Sequence, residues 1–286
     1  MVQGKNNFEY PENFVRYLGT GGARFTMIHQ YRATGGMWFR YAGLNGVIDP
    51  GPGSLVKICE AYPQLNPEDI RALILTHRHI DHSTDVNVLA EAMTSGGYKK
   101  QGSILTTHDA AFAEDPVLLS YSASKAENVY EMRDGEKIKL PNGITLEPVR
   151  HVHHGVDCFG LIFAKRGFQT WGVISDTRPL PEFIRRYKRC KFISLNSTML
   201  LRRPNVDHYS LPDAADFVRD CSAGLVTLSH LGRMIVEGNP QELVSGFATK
   251  KTRVLAARDG MIIDLDTLAA YVPPEKRRRK VKYSEI

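Results

Sequence analysis

Leu73-Ile74-Leu75-Thr76-His77-Arg78-His79-Ile80-Asp81-His82 is the stretch on which the reading of this chain turns. An apolar run leads straight into three histidines and an aspartate within six residues, in a chain with only ten histidines. Side chains alternate along an extended segment, so His77 and His79 project to the same side. Two imidazoles from one short loop can grip one metal ion. Asp81 and His82 come where the chain turns into a helix and can face a second ion beside the first. Neutral imidazole and carboxylate suit zinc, and also iron or manganese.

Four ligands at one spot do not complete two sites, so the rest must come from other strand ends. Three places repeat the pattern of an apolar run that ends in a ligand type. They are Val149-Arg150-His151-Val152-His153-His154-Gly155, Ile174-Ser175-Asp176-Thr177-Arg178-Pro179, and Leu228-Ser229-His230-Leu231-Gly232. In the first, three histidines compete.

The surrounding sequence predicts strands at 14–18, 37–41, 46–48, 72–75, 103–106, 144–149, 160–163, 172–174, 192–195, 225–228, 253–256 and 261–264. Helices are expected at 54–62, 81–93, 212–220 and 241–249. Many strands with helices between them imply a layered α/β (α+β) protein with the strands inside. No linker splits the chain, which reads as one domain over 1–272 and a basic tail over 273–286. That tail holds Lys276, Arg277, Arg278, Arg279, Lys280 and Lys282 and supplies most of the net charge of +6. The pI therefore does not by itself imply a nucleic-acid surface.

No run of about 18 apolar residues is present, so no membrane span is expected. The first 27 residues lack the apolar block of a secretion signal, and a cytoplasmic location is expected. Cys59, Cys158, Cys190 and Cys221 form no CxxC pair, which excludes a zinc ribbon or a redox motif.

With these residues in view, the chain resembles the metallo-β-lactamase superfamily, and within it the ribonuclease Z-like branch. Thr76–His82 matches the T-H-x-H-x-D-H hallmark. Tyr17-Leu18-Gly19-Thr20-Gly21-Gly22 and Ile48-Asp49-Pro50-Gly51-Pro52-Gly53 resemble the branch's glycine turns, and Asp176-Thr177-Arg178-Pro179 its D-T-R-P block. The resemblance implies a four-layer αββα sandwich with two divalent metal ions, zinc foremost, at one rim. It implies that His77, His79 and a third histidine hold one metal, that Asp81, His82 and His230 hold the other, and that Asp176 bridges. In ribonuclease Z-like chains the third histidine precedes a glycine-led strand by six positions. Counted from Gly160, that selects His154, with His151 and His153 as the alternatives; the two that do not bind metal would support the ligands or meet substrate.

The function this implies is a phosphodiesterase acting on RNA or a small phosphodiester through water activated by the metal pair. Asp81 would both bind metal and orient the water. Arg178 could meet a phosphate. The branch's H-E-A-T block, which supplies a proton donor, corresponds here to Leu195-Asn196-Ser197-Thr198 and lacks its histidine. His208 is the candidate replacement. Hydrolysis of lactone, thioester or lactam carbonyls is the second reading, since ligands alone do not fix the bond cleaved. A homodimer is implied by the resemblance alone.

Overall fold

All twelve of the expected apolar runs form strands in the computed structural model, which describes residues 8–273. In chain order the strands are β1 (Phe14–Tyr17), β2 (Met37–Tyr41), β3 (Leu44–Ile48), β4 (Ala72–Ile74), β5 (Ser103–Thr106), β6 (Asn128–Glu131), β7 (Ile138–Leu140), β8 (Ile144–Arg150), β9 (Phe159–Ala164), β10 (Trp171–Ile174), β11 (Phe192–Asn196), β12 (Leu225–Ser229), β13 (Arg253–Ala256), β14 (Ile262–Asp264) and β15 (Ala270–Tyr271). They form two sheets, ordered β15-β14-β1-β2-β3-β4-β5-β6 and β13-β12-β11-β10-β9-β8-β7. Most of the tail expected over 273–286 lies outside the described residues.

Alternation along the strands builds three apolar layers. Tyr17, Phe39 and Tyr41 of the first sheet meet Phe163, Trp171 and Phe192 of the second in a central core. The Phe163 and Trp171 rings stack at 4.2 Å between centroids. On the outer face of the second sheet, Ile162, Ile174 and Leu228 pack against Ala214, Phe217 and Val218 of the helix Leu211–Asp220. On the outer face of the first, Val47, Leu73 and Ile104 pack against Val86, Leu89 and Met93 of the helix Val86–Met93. The result is the expected αββα sandwich.

Each sheet contains a parallel block, β3 to β6 in one and β10 to β13 in the other. The segments that carry His77, Asp176 and His230 follow β4, β10 and β12 directly, so they leave the carboxyl ends of parallel strands, where ligands collect in such sheets. Asp49 follows β3 and Thr198 lies two residues past β11 in the same way.

Three helices differ from expectation, the one over 54–62 being confined to Ser54–Cys59. The apolar periodicity over 81–93 is interrupted, giving Ile80–Ser83 and Val86–Met93. At the break the Asp85 carboxylate accepts from Leu55 N, and Asp85 N donates to Pro50 O. Tertiary bonds to the turn at 50–55 thus replace the helical ones. The helix expected over 241–249 is confined to Pro240–Leu243.

Candidate metal centre

The Thr76–His82 loop is anchored by an aspartate from the neighbouring strand. Asp49 takes a left-handed backbone (φ 51) just past β3. Its Oδ1 accepts from Thr76 N at 2.7 Å and its Oδ2 from Thr76 Oγ1 at 2.7 Å. His82 Nδ1 lies 3.0 Å from the same Oδ2. With its Nδ1 proton on Asp49, His82 presents the Nε2 lone pair to the interior.

The same logic fixes three more histidines. His77 Nδ1 is 3.1 Å from Thr76 Oγ1, and its buried Nε2 has no hydrogen-bond partner. His153 Nδ1 donates to Asp207 O at 2.9 Å. His230 Nδ1 lies 2.9 Å from Thr198 Oγ1, whose own proton goes to His230 O. In each case the δ nitrogen is occupied and the ε nitrogen is left with its lone pair facing inward.

Those lone pairs meet in two adjacent groups. His77, His79 and His153 converge in the first, and Asp81, His82 and His230 in the second. His153 Nε2 and His79 Nδ1 are 3.0 Å apart, as are His82 Nε2 and His230 Nε2. Asp81 Oδ2 is 3.2 Å from His230 Nε2. Asp176 stands between the groups, its Oδ2 3.5 Å from His82 Nε2 and 3.7 Å from His153 Nε2. Asn196 Nδ2 donates to the other Asp176 oxygen at 2.8 Å. Each of these nitrogen pairs can be bridged by a proton or by a cation, and the buried Nε2 of His77, which has no hydrogen-bond partner, calls for the cation. The donor set therefore fits two divalent cations, one in each group.

The electrostatics agree. Burial holds His77 well below the ordinary histidine range and brings His79 and His153 down to about 4, so these imidazoles are neutral at pH 7, the form in which imidazole can bind a metal. His82 is the exception. Burial opposes its charge, but Asp81, Asp176 and Asp49 outweigh that and raise it well above the usual value. The three carboxylates favour positive charge at this point.

It is His153, and not the expected His154, that joins His77 and His79 in the first group, while His154 stands with His153 and His208 in another grouping of possible ligand atoms. His153 is buried, whereas the His154 side chain is 42% exposed and its nearest carboxylate oxygen is Asp207 Oδ2, at 3.9 Å. The cause is local. His154 and Gly155 both have positive φ, in a turn closed by the bridge between His153 and Val156, and this turns His154 outward. The strand also starts at Phe159, one residue before Gly160, so a count of six from its observed start gives His153. His151 lies elsewhere, with its ring 4.9 Å from that of Phe183 and its Nε2 3.3 Å from Tyr187 Oη.

His208 reaches the centre from the loop after β11. Its Nδ1 is 3.3 Å from Thr198 Oγ1 and 3.7 Å from Asp176 Oδ2, and burial lowers its pKa to about 4. Arg178 is half-exposed and bonds Asp207 Oδ1 at 2.7 Å. Sequence reasoning did not assign Asp49, Asn196 and Thr198. Each stands at or just past the end of a strand at the ligand-bearing rim, which is the one signal that could have found them.

Close approach explains the glycine turns. A Cβ on Gly22 would sit 2.2 Å from the His230 ring, and one on Gly51 would sit 2.0 Å from the Asp81 carbonyl oxygen. A family model described as "Beta-lactamase superfamily domain" matches residues 45–231. The chain belongs to the metallo-β-lactamase superfamily. The match makes it a hydrolase of that superfamily, in keeping with the groups of side chains that could hold metal ions. It is 30% identical over 259 residues to an uncharacterized protein of Methanocaldococcus jannaschii, covering 88% of this chain and 94% of that one. Its fold is similar to that of the metallo-β-lactamase fold protein YhfI of Bacillus subtilis, with a TM-score of 0.69 at 16% identity, over 88% of this chain and 99% of that one. It is also similar to the short form of human tRNase Z, with a TM-score of 0.64 at 17% identity, again over 88% and 99%. Among the described residues, no helix is long and apolar enough to cross a membrane.

Proposed function

We propose that this member of the superfamily is a phosphodiesterase, acting on RNA or a small phosphodiester at a centre of two divalent metal ions, zinc foremost. His77, His79 and His153 would hold one ion, Asp81, His82 and His230 the other, and Asp176 would touch both. The observation that carries this reading is the position of Asp176 Oδ2, 3.5 Å from a nitrogen of one group and 3.7 Å from a nitrogen of the other.

When bound, such a pair supplies the charge that acidifies a shared water and steadies the developing negative charge. The protein's own groups do the rest. Asp81, fixed against His230, orients the attacking water through its carboxylate. Arg178, fixed by Asp207, offers its remaining N–H groups to a phosphate oxygen. His208, beside Asp176 and at the edge of the centre, is assigned as proton donor to the leaving oxygen; burial holds it near 4 in the free protein, so it takes up its proton only when the phosphate anion binds beside it.

The test is turnover of bis(4-nitrophenyl) phosphate and of a short labelled RNA by the metal-loaded protein. Wild-type turnover that falls by at least about a thousandfold in Asp176→Ala supports the reading. A loaded protein that cleaves neither substrate, yet opens lactones or thioesters in the same screen, replaces it with the carbonyl reading.

A further inference from the structure

Segments next to the centre carry exposed apolar side chains. The helix Ala23–His29 begins at Gly22, against the His230 ring, and Thr26 Oγ1 donates to Leu231 O at 3.4 Å. With Thr26 turned inward, Phe25 and Ile28, three residues apart on the same helix, remain 64% and 59% exposed. This helix packs against the helix Ile80–Ser83, where Ile80, between His79 and Asp81, is 62% exposed. Met234, four residues beyond His230, is 54% exposed. Its neighbour Arg233 lies over the Tyr31 ring at 5.4 Å, which joins the two segments. These apolar groups come from three separate segments, and each segment either carries or touches a residue of the group formed by Asp81, His82 and His230.

Among the described residues, most arginines near the centre are engaged by carboxylates, and Arg24, next to Phe25, has no ion pair. Arg78 pairs with Asp115, Arg150 with Asp157, Arg178 with Asp207 and Arg233 with Glu237. A polynucleotide needs several free cations to neutralise successive phosphates. A small ester needs one charge centre and a wall for the rest of the molecule.

We infer that the substrate is a small phosphodiester with an apolar aryl or alkyl arm, which Phe25, Ile28, Ile80 and Met234 hold while the metal centre meets the phosphate. This rests on the phosphodiesterase reading above and narrows it. The arm leaves water for the apolar wall, so its binding free energy grows with the apolar area covered.

Two comparisons on the metal-loaded full chain test this. The first is kcat/KM for phenyl 4-nitrophenyl phosphate against methyl 4-nitrophenyl phosphate, which share a leaving group. The second is calorimetric binding of phenyl phenylphosphonate against methyl methylphosphonate, which needs no turnover. The expected preference for the phenyl compound is about tenfold or more in both. It should fall toward unity in the double variant Phe25→Ser/Ile28→Ser and shrink in Met234→Ser. All three side chains are largely exposed, so the variants should fold.

Equal binding of the two phosphonates by wild type would overturn the inference, as would a preference that survives in both variants. So would sedimentation showing that the double variant turns a dimer into a monomer with the preference intact, because the wall would then be an interface between copies. RNA cleaved far faster than either small ester would also overturn it. No phosphodiester turnover, together with a phosphonate preference that the variants abolish, would remove the phosphodiesterase reading and leave the apolar wall standing.

Discussion

Asp49 Oδ2 lies 3.0 Å from His82 Nδ1, and that contact decides which nitrogen of His82 faces the centre. The same carboxylate also holds Thr76, so one side chain positions both ends of the Thr76–His82 loop.

Asp49→Ala should therefore do two things. Metal affinity at the group formed by Asp81, His82 and His230 should fall by about 10–100-fold. Stability should fall by about 1–3 kcal/mol, because Thr76 N is left buried without its acceptor. Competition with a chelator measures the first and urea unfolding the second.

His153→Ala and His154→Ala should part company. The first removes a buried ring whose Nε2 faces His79, and should cost more than about a hundredfold in affinity for one ion. The second alters a half-exposed side chain and should leave the metal content at the wild-type level. Metal analysis of both variants after the same chelator challenge separates them.

Gly22→Ala should harm a site it does not itself form. The added methyl would sit 2.2 Å from His230, so either that ring or the Thr20–Gly22 turn must move. Asp259 holds this turn through Thr20 N at 2.9 Å and Thr20 Oγ1 at 2.6 Å, so displacement should cost about 1–3 kcal/mol. Thermal unfolding, and occupancy of the group that includes His230, report it.

Acid should expose His151. Burial lowers it from 6.5 to about 3, so the unfolded chain takes up a proton that the folded chain refuses. Stability from this group is complete above about pH 6.5 and is lost as pH falls toward about 3. His151→Gln should flatten that part of the profile, read as the urea midpoint of wild type minus that of the variant from pH 7 to pH 4. Parallel profiles would contradict it.

The fold was legible where strands are apolar and long enough to show a pattern. β6 and β7 were not, because Asn128-Val129-Tyr130-Glu131 and Ile138-Lys139-Leu140 are short, with polar residues between the apolar ones. β15 has only two residues. Periodicity ran the helix on from Asp81 to Met93 because it cannot see that Asp85 bonds to residues 30 and more positions earlier. The site was legible as ligand types at strand ends. The choice between His153 and His154 was not, since it depends on a left-handed turn and a one-residue shift of strand start. Asp49, Asn196 and Thr198 act through hydrogen bonds across the rim, and beyond their place at strand ends the sequence carries no sign of those bonds.

Two cation-binding groups that share Asp176 lie at the heart of the proposal, and metal stoichiometry tests this most directly. Wild-type protein saturated with zinc and then freed of excess should retain two ions per chain, and Asp176→Ala should retain at most one. Wild type that holds one ion or fewer at saturation, or an Asp176→Ala variant that keeps two as tightly as wild type, would contradict it.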